Sequence, residues 1–425
     1  MENRYEQYKD SGIAWIGEIP EHWELRKGKN LFKLRNSKGN NNAILLAATQ
    51  KYGMIPQSQV EGVVQVKQNT DLNTFKTVHK NDYVISLRSF QGGFEMSEYE
   101  GVCSPAYQVF YSTKPCCNYF FKYMFKSYGF VSQINAFTLG IREGKNIQYE
   151  DFSLMKLPLP TIQEQQSIAT YLDQKCSEID ELITLQEEMI TKLQSYKQSV
   201  ITEAVTKGLD KNVPLKDSGI AWIGEIPEYW EVIKTKNAFK IISGATPKTD
   251  NMTYWDGEII WITPADYKTE DRIIKSGKRN ITLAGLNSCG TSIVPENSII
   301  FSKRAPIGLV AINVVPLCTN QGCISCIPKS FVSSKYFYYL MSVLTEWFEL
   351  FGSGTTFKEL STNNFANFSL SQPPLSEQQI IADYLDQKCS EIDALISIKQ
   401  QKIEKLKDYK KSLIFECVTG KRKVS

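Results

Sequence analysis

Residues Glu164 to Asp180 read EQQSIATYLDQKCSEID, and residues Glu377 to Asp393 read EQQIIADYLDQKCSEID. Fifteen of these 17 positions are identical, at an offset of 377 − 164 = 213. A second stretch also occurs twice. Lys9 to Lys29 is KDSGIAWIGEIPEHWELRKGK and Lys216 to Lys236 is KDSGIAWIGEIPEYWEVIKTK, with 17 of 21 positions shared at an offset of 216 − 9 = 207. The material between these segments differs strongly. The chain is therefore a tandem duplication in which near-identical frames enclose two divergent blocks, and a repeat of this size governs how the rest is read.

No Gly or Pro occurs from Thr161 to Lys207, which predicts one continuous helix; the 45 residues from Gln163 to Lys207 would span ~65 Å. Ile179, Leu182, Met189, Leu193, Tyr196 and Val200 fall on 3-4 heptad spacing, interrupted by Gln186. The second copy places Ile392, Leu395, Leu406, Tyr409 and Leu413 on matching positions, with Lys399 and Lys402 as interruptions and Ile396 and Ile403 on the adjoining edge. A stripe this long wants a partner helix. Glu178 to Lys211 carries 4 − 7 = −3 charges and Glu391 to Ser425 carries 9 − 5 = +4, so the two copies favour each other over self-pairing. A whole globular block lies between them, which predicts an antiparallel coiled coil with pseudo-twofold symmetry.

The divergent blocks, Leu25 to Leu157 and Val232 to Ser371, read as two copies of one mixed domain. Ala43 to Ala48, Tyr83 to Leu87, Ile259 to Thr263 and Ser298 to Ser302 have strand character, while Asn118 to Phe130 and Ser334 to Phe351 look helical. Two echoes survive between the blocks: Ser86-Leu87-Arg88 against Ser302-Lys303-Arg304, and Phe152-Ser153-Leu154 against Phe368-Ser369-Leu370. The expected fold is α+β. A first head spans 1–160, a first central helix 161–207, a linker and second head 208–372, and a second helix with a basic tail 373–425. Trp15, Ile16, Ile19 and Trp23 read as a packing clip at the entrance to each half.

Composition bounds the function. With 42% apolar and 12% aromatic residues, the 425-residue chain can bury proper cores. No run approaches 18 apolar residues, and MENRYEQYKDSG has no signal core, so a cytoplasmic protein with ten cysteines as thiols is expected. Only two histidines occur, His22 and His79, both in the first half, which excludes a duplicated enzyme with a histidine in each site. There is no P-loop, GxGxxG or HExxH, and Cys323-x-x-Cys326 stands alone in a strand-like run, so no metal site is expected. A binding and scaffolding protein fits these absences. Loop residues suited to nucleic acid are Arg88 and Arg142, Lys145 and Asn146 in the first block, and Lys303, Arg304, Thr355, Thr356 and Lys358 in the second. Arg and Lys match guanine edges and phosphates, Asn matches adenine, and nearby glycines let a backbone come close. Ordinary loop polarity and structural ion pairs are the competing reading.

DSGIAWIGEIPEHW before the first block, PLPTIQEQQSIATYLDQKCSEID after it and KLQSYKQSVITEAVTKGL at the helix end are all duplicated, and the order resembles the specificity subunit of Type I restriction–modification enzymes. That resemblance implies two target-recognition domains, each reading one half of a split site in double-stranded DNA. It implies two central helices that space them and dock two methyltransferase subunits, which restriction/translocase subunits then join. S-adenosylmethionine, ATP and Mg would belong to the partners, with no cofactor and no catalysis in this chain. Each half repeats the same frame, so two pseudo-symmetric docks are expected along Glu164 to Asp180 and Glu377 to Asp393, with Glu164, Glu178, Glu377 and Glu391 on them and Trp15 and Trp222 nearby. The alternative is a coiled-coil scaffold with two protein-binding heads and no DNA role.

Overall fold

The computed structural model describes residues 4–39, 41–50, 52–60, 70–86, 93–139, 147–267, 272–354 and 358–424. They form two compact units, Met1–Glu187 with Gln400–Ser425, and Glu188–Lys399. Each unit takes a stretch of both long helices, Ile162–Lys207 and Leu375–Val418.

Each unit opens on the repeated clip. In the first, Tyr8–Asp10 pairs antiparallel with Glu18–Pro20; in the second, Leu215–Asp217 pairs with Glu225–Pro227. The turn between them is an Asx turn in both copies: Asp10 accepts from the Gly12 amide and Asp217 from the Gly219 amide, each at 2.9 Å. Trp23 and Trp230 are fully buried beneath these hairpins. A two-stranded sheet then closes each head, Glu24–Lys27 with Lys156–Leu159 and Glu231–Lys234 with Ser369–Gln372. The frame segments before and after each divergent block thus meet as neighbouring strands.

The blocks themselves share one topology. The first head holds an antiparallel sheet in the order Phe32–Arg35, Gln108–Ser112, Tyr83–Ile85, Phe94–Met96. The second has the same order, Phe239–Ser243, Cys323–Pro328, Ile299–Ser302, Val310–Asn313, extended by the short parallel strand Ile273–Ile274. Asn81 and Asn297 take positive φ, 71° and 63°, in equivalent turns before the third strand in each order, a conformation Asn tolerates better than other side chains. A helix covers one face of each sheet, Asn118–Lys126 and Ser334–Ser342, burying Phe120, Phe121, Met124 and Phe125 in the first and Tyr336, Phe337, Leu340 and Met341 in the second. The single helices expected over Asn118 to Phe130 and Ser334 to Phe351 are each broken in two. Ser127 is extended and its hydroxyl donates to the Met124 carbonyl at 2.7 Å, and the second helix stops at Ser342 before Thr345–Leu350.

The first echo is described only at its first residue, where the two copies are equivalent: the Ser86 amide donates to the Gly93 carbonyl at 2.7 Å, and the Ser302 amide to that of Leu309 at 2.8 Å; Leu87 and Arg88 lie outside the described residues. The second echo is out of register. Leu157 lies opposite Arg26 and Leu370 opposite Ile233, so the offset there is 370 − 157 = 213. The counterpart of Phe152 is therefore Phe365, and that of Phe368 is Met155. Both Phe152 and Phe365 are buried on short helices, Tyr149–Leu154 and Thr362–Asn367. The offset is 302 − 86 = 216 at the first echo and 213 here, and this three-residue change hid the match.

Within each unit the two long helices run antiparallel. In the first, Lys410 pairs with Asp180 at 2.6 Å, and the end of the second helix at Gly420 lies beside Trp23 near the start of the first. In the second, Lys197 pairs with Asp393 at 2.6 Å, and Gly208 lies beside Trp230 and Glu377. The heptad seam differs from the expected one at four of its apolar positions, while Met189, Leu193, Val200 and Leu406 are half-buried as expected. Leu182, Tyr196, Leu395 and Tyr409 are exposed, whereas Ile183, Lys197, Ile396 and Lys410 turn partly inward. Ile179 and Ile392 belong to both readings, and a 3-4 stripe can continue from them in either direction. The burial of Cys176, Ile179 and Gln186 on one helix and Cys389, Ile392 and Ile403 on the other selects the inward register.

Candidate functional site

Glu164 and Glu377, expected on an outer dock, work inside their own units. Thr161 and Glu164 form a capping box at the start of the first helix: the Glu164 amide donates to the Thr161 hydroxyl at 3.3 Å, and the Thr161 amide to the Glu164 carboxylate at 3.1 Å. The other carboxylate oxygen accepts from Trp23 Nε1 at 3.2 Å and lies 2.9 Å from His22 Nε2. Burial works to raise the Glu164 carboxyl, but the hydrogen bonds from His22, Thr161 and Trp23 outweigh it and hold it below the usual range. In the second copy Glu377 accepts from Trp230 Nε1 and from the Tyr229 hydroxyl, both at 3.0 Å. Gln165 and Gln378, the next residues, are buried. Each donates to a joint carbonyl, Pro160 at 2.9 Å or Pro373 at 2.8 Å, and accepts the amide that caps the aromatic helix, Cys117 at 3.0 Å or Ser333 at 2.8 Å.

Trp15 and Trp222, expected near the docks, are half-buried and pack on aromatic rings of their own units. Trp15 meets Phe130 edge-on at 6.3 Å, and Trp222 stacks on Phe368 at 4.6 Å while its Nε1 donates to the Ser369 carbonyl at 2.9 Å. Much of the repeated sequence therefore has an internal reason to repeat. Asp173 and Asp386 add to it by accepting the hydroxyls of Tyr123 and Tyr339 at 2.6 and 2.7 Å.

Glu178 and Glu391 do face solvent. Gln174 and Lys175 donate to Glu178 at 2.9 and 2.7 Å; Gln387 and Lys388 donate to Glu391 at 3.0 and 2.9 Å. The hydrogen bond from the lysine, then that from the glutamine, draws each carboxyl below its ordinary value. One and two turns on, along the same face, come Leu182 and Leu185, and their counterparts Leu395 and Ile398; all four are exposed. Tyr409 and Tyr196, each next in sequence to the lysine of the Asp180–Lys410 or Lys197–Asp393 pair, are exposed as well. Sequence reasoning missed this patch because it assigned Leu182, Leu395 and both tyrosines to the buried seam.

On the heads, Arg88, Arg142, Lys145, Asn146, Thr355 and Thr356 lie outside the described residues. Lys303, Arg304 and Lys358 gather at one edge of the second head. Glu359 receives Lys303 Nζ and Arg304 Nε, each at 2.9 Å. Burial would raise Glu359, but its bonds to Lys303 and Arg304 prevail and its carboxyl lies below the usual range. Lys303 is 12% exposed and serves this clamp, whereas Arg304 keeps 45% of its side chain in solvent and Lys358 is exposed. The Lys303 amide donates to the Gly322 carbonyl at 2.9 Å, which brings in the Asn320–Gly322 turn; there Gln321 accepts from Thr246. A side chain at Gly244 would strike the Asn320 and Thr319 carbonyls, so the loop from Gly244 to Thr246 can lie on that turn only with glycine at its start. Gly244 and Gly322 were the overlooked signals.

Cys323 and Cys326 are buried free thiols on one strand, with burial pushing Cys323 up to about 12. Among the described residues no group of His, Cys, Asp and Glu is placed to hold a metal, and no helix is long and apolar enough to cross a membrane.

The chain is similar to several known proteins. The MjaIX specificity subunit of Methanocaldococcus jannaschii is 40% identical over 185 residues, 43% of this chain and 42% of that one. A putative MjaX specificity subunit from the same organism is 28% identical over 431 residues, 96% of each chain. A chain from a solved structure concerned with assembly and conformational transition of the type I R-M system superposes with a TM-score of 0.73 at 16% identity, covering 94% of this chain and 98% of that one. The HsdS subunit of Thermoanaerobacter tengcongensis does so at 0.58, covering 95% and 98%. The sequence matches the Type I restriction modification DNA specificity domain twice, over residues 20–194 and 227–408. Two such domains, on two heads of one topology framed by duplicated segments, make this chain a member of the Type I restriction–modification specificity-subunit family, whose role is DNA recognition.

Proposed function

We propose that each head reads its own half of a bipartite DNA site, and that two identical modification subunits dock on the paired helices. The observation that carries this reading is the contrast between heads and exposed frame. The heads share sheet order but little sequence, as independent readers of different bases would. The solvent-facing Gln174, Lys175 and Glu178 recur unchanged as Gln387, Lys388 and Glu391, each beside an exposed apolar pair. The buried part of the repeat is accounted for by packing. Among the described residues the exposed Gln174, Lys175 and Glu178 hydrogen-bond only to one another, as do Gln387, Lys388 and Glu391, and one partner used twice supplies a reason for that recurrence.

On the second head the DNA face is the edge carrying Arg304 and Lys358, with Thr246 and Gln321 alongside; Lys303 is the strut behind it. The donors there suit phosphate and guanine edges. Exchanging residues 237–367 for the equivalent block of a relative, in the assembled complex, tests the reading. Methylation-aware sequencing should show one half of the modified site changed and the other kept. A change in both halves would mean that the heads are not independent readers.

A further inference from the structure

The two units are built alike but are closed by different parts of the chain. The second unit is continuous, Glu188–Lys399. The helix end that seals it precedes its head in sequence: Val205 is fully buried, and its carbonyl accepts from Tyr336 and Ser371, each at 3.0 Å. The first unit is discontinuous and is sealed by the last residues of the chain. Leu413, Cys417 and Val418 are buried in the core with Ile16 and Trp23. Beyond the helix, the Tyr8 hydroxyl donates to the Gly420 carbonyl at 3.2 Å and Lys421 Nζ to the Ile16 carbonyl at 2.7 Å. Gly420, at φ 75°, lies flat on Pro20 and Trp23, where a Cβ would come within 2.3 Å of the proline ring.

The two sealing segments are not interchangeable. Phe415 is 8% exposed, with its ring 4.4 Å from that of Tyr128. It lies over Gly129, where a Cβ would be 2.7 Å from both Phe415 and Trp15. At the 213-residue offset the first helix has Thr202, exposed, with its hydroxyl turned back to the Gln198 carbonyl at 2.9 Å.

We propose that residues 413–424 are a closing strap specific to the first head, keyed by Phe415 into the Trp15–Tyr128–Gly129 notch, so that the first head opens without the second when the strap lets go. The occupant is this chain's own C-terminal segment; the Thr202 segment lacks the side chain that fills the notch. Losing a buried aromatic leaves a cavity, and the cost is local where the sealed core is a separate cooperative unit.

Hydrogen exchange read by mass spectrometry on the full chain tests this. Phe415→Thr, which installs the other copy's residue, and Gly129→Ala, which crowds the same notch from the head, should each speed exchange at least about tenfold in strands 32–35, 83–85 and 108–112. Strands 239–243, 299–302 and 323–328 should keep their protection. Thr202→Val, at the equivalent place on the first helix, should leave both heads unchanged. Equal acceleration in both heads, no acceleration in the first, or collapse of the whole chain in both notch variants would each overturn the strap.

Discussion

Trp23 and Trp230 show how one side chain joins three parts of a unit. Each buries its ring under the clip, donates Nε1 to the glutamate at the start of one long helix and lies beside the glycine at the end of the other. Trp23→Phe and Trp230→Phe keep most of the ring and leave a carboxylate short of a donor. Each should lower unfolding free energy by about 1.5–3 kcal/mol, read from denaturant midpoints. The depressed Glu164 carboxyl has a pH consequence. A lowered folded value means that its contribution is complete above the ordinary carboxylate range and lost as pH falls through the folded value. Stability of the first unit should drop on acidification below that range, and Glu164→Gln should flatten the drop in a pH series of melting curves. At the polar edge, Lys303→Ala should destabilise the second head, whereas Arg304→Ala and Lys358→Ala should leave melting nearly unchanged. Each of the latter should weaken DNA binding and reduce the salt slope by about 1 for each phosphate contact removed. Normal affinity with a lowered melting point for Arg304→Ala would assign that arginine to the clamp alone.

The long helices contain polar residues at seam positions, and these differ in consequence. Gln186 is 3% exposed and its Oε1 is buried without a hydrogen-bond partner. Gln186→Leu should raise stability by about 1 kcal/mol in urea titrations; a loss would show that the amide is satisfied in solution. Asp180–Lys410 and Asp393–Lys197 are the same ion pair generated twice, since 180 + 213 = 393 and 197 + 213 = 410. Both are exposed enough to be screened, so double-mutant cycles should give ~0.2–1 kcal/mol, and similar values at the two sites. A large difference would mean that the surroundings of the repeat, not its register, set the coupling.

For the whole molecule, the duplicated exposed patches make stoichiometry the decisive quantity. Native mass measurement of the complex with saturating modification subunit should give two copies per chain. Glu178→Lys or Glu391→Lys alone should reduce this to one, and the two together should abolish docking while DNA binding by the heads persists. Stable binding of one copy by the unaltered chain would end the two-dock reading. An undiminished complex in the double variant would move the docks away from the helix face.

Sequence alone determined the duplication, the two continuous helices, the mixed α+β heads and the family resemblance. These rest on identity at a fixed offset, on the absence of helix breakers and on local periodicity, all of which are written along the chain. Tertiary structure decided which face of each feature turns inward. A 3-4 stripe through Ile179 can continue through Leu182 or Ile183, and only packing against the other helix chose Ile183. Glu164 and Glu178 lie in the same repeated segment with the same formal charge. The first is tied to Trp23, 141 residues earlier, and the second is left in solvent. The Phe152 echo slipped by three residues because composition matches more readily than register, and strand pairing alone fixes register. Sequence likewise separates Phe415 from Tyr128 by 415 − 128 = 287 residues and from Trp15 by 415 − 15 = 400. Burial, partner and seal all depend on contacts between residues distant in the chain, and the spacing of side chains along the sequence does not encode those contacts.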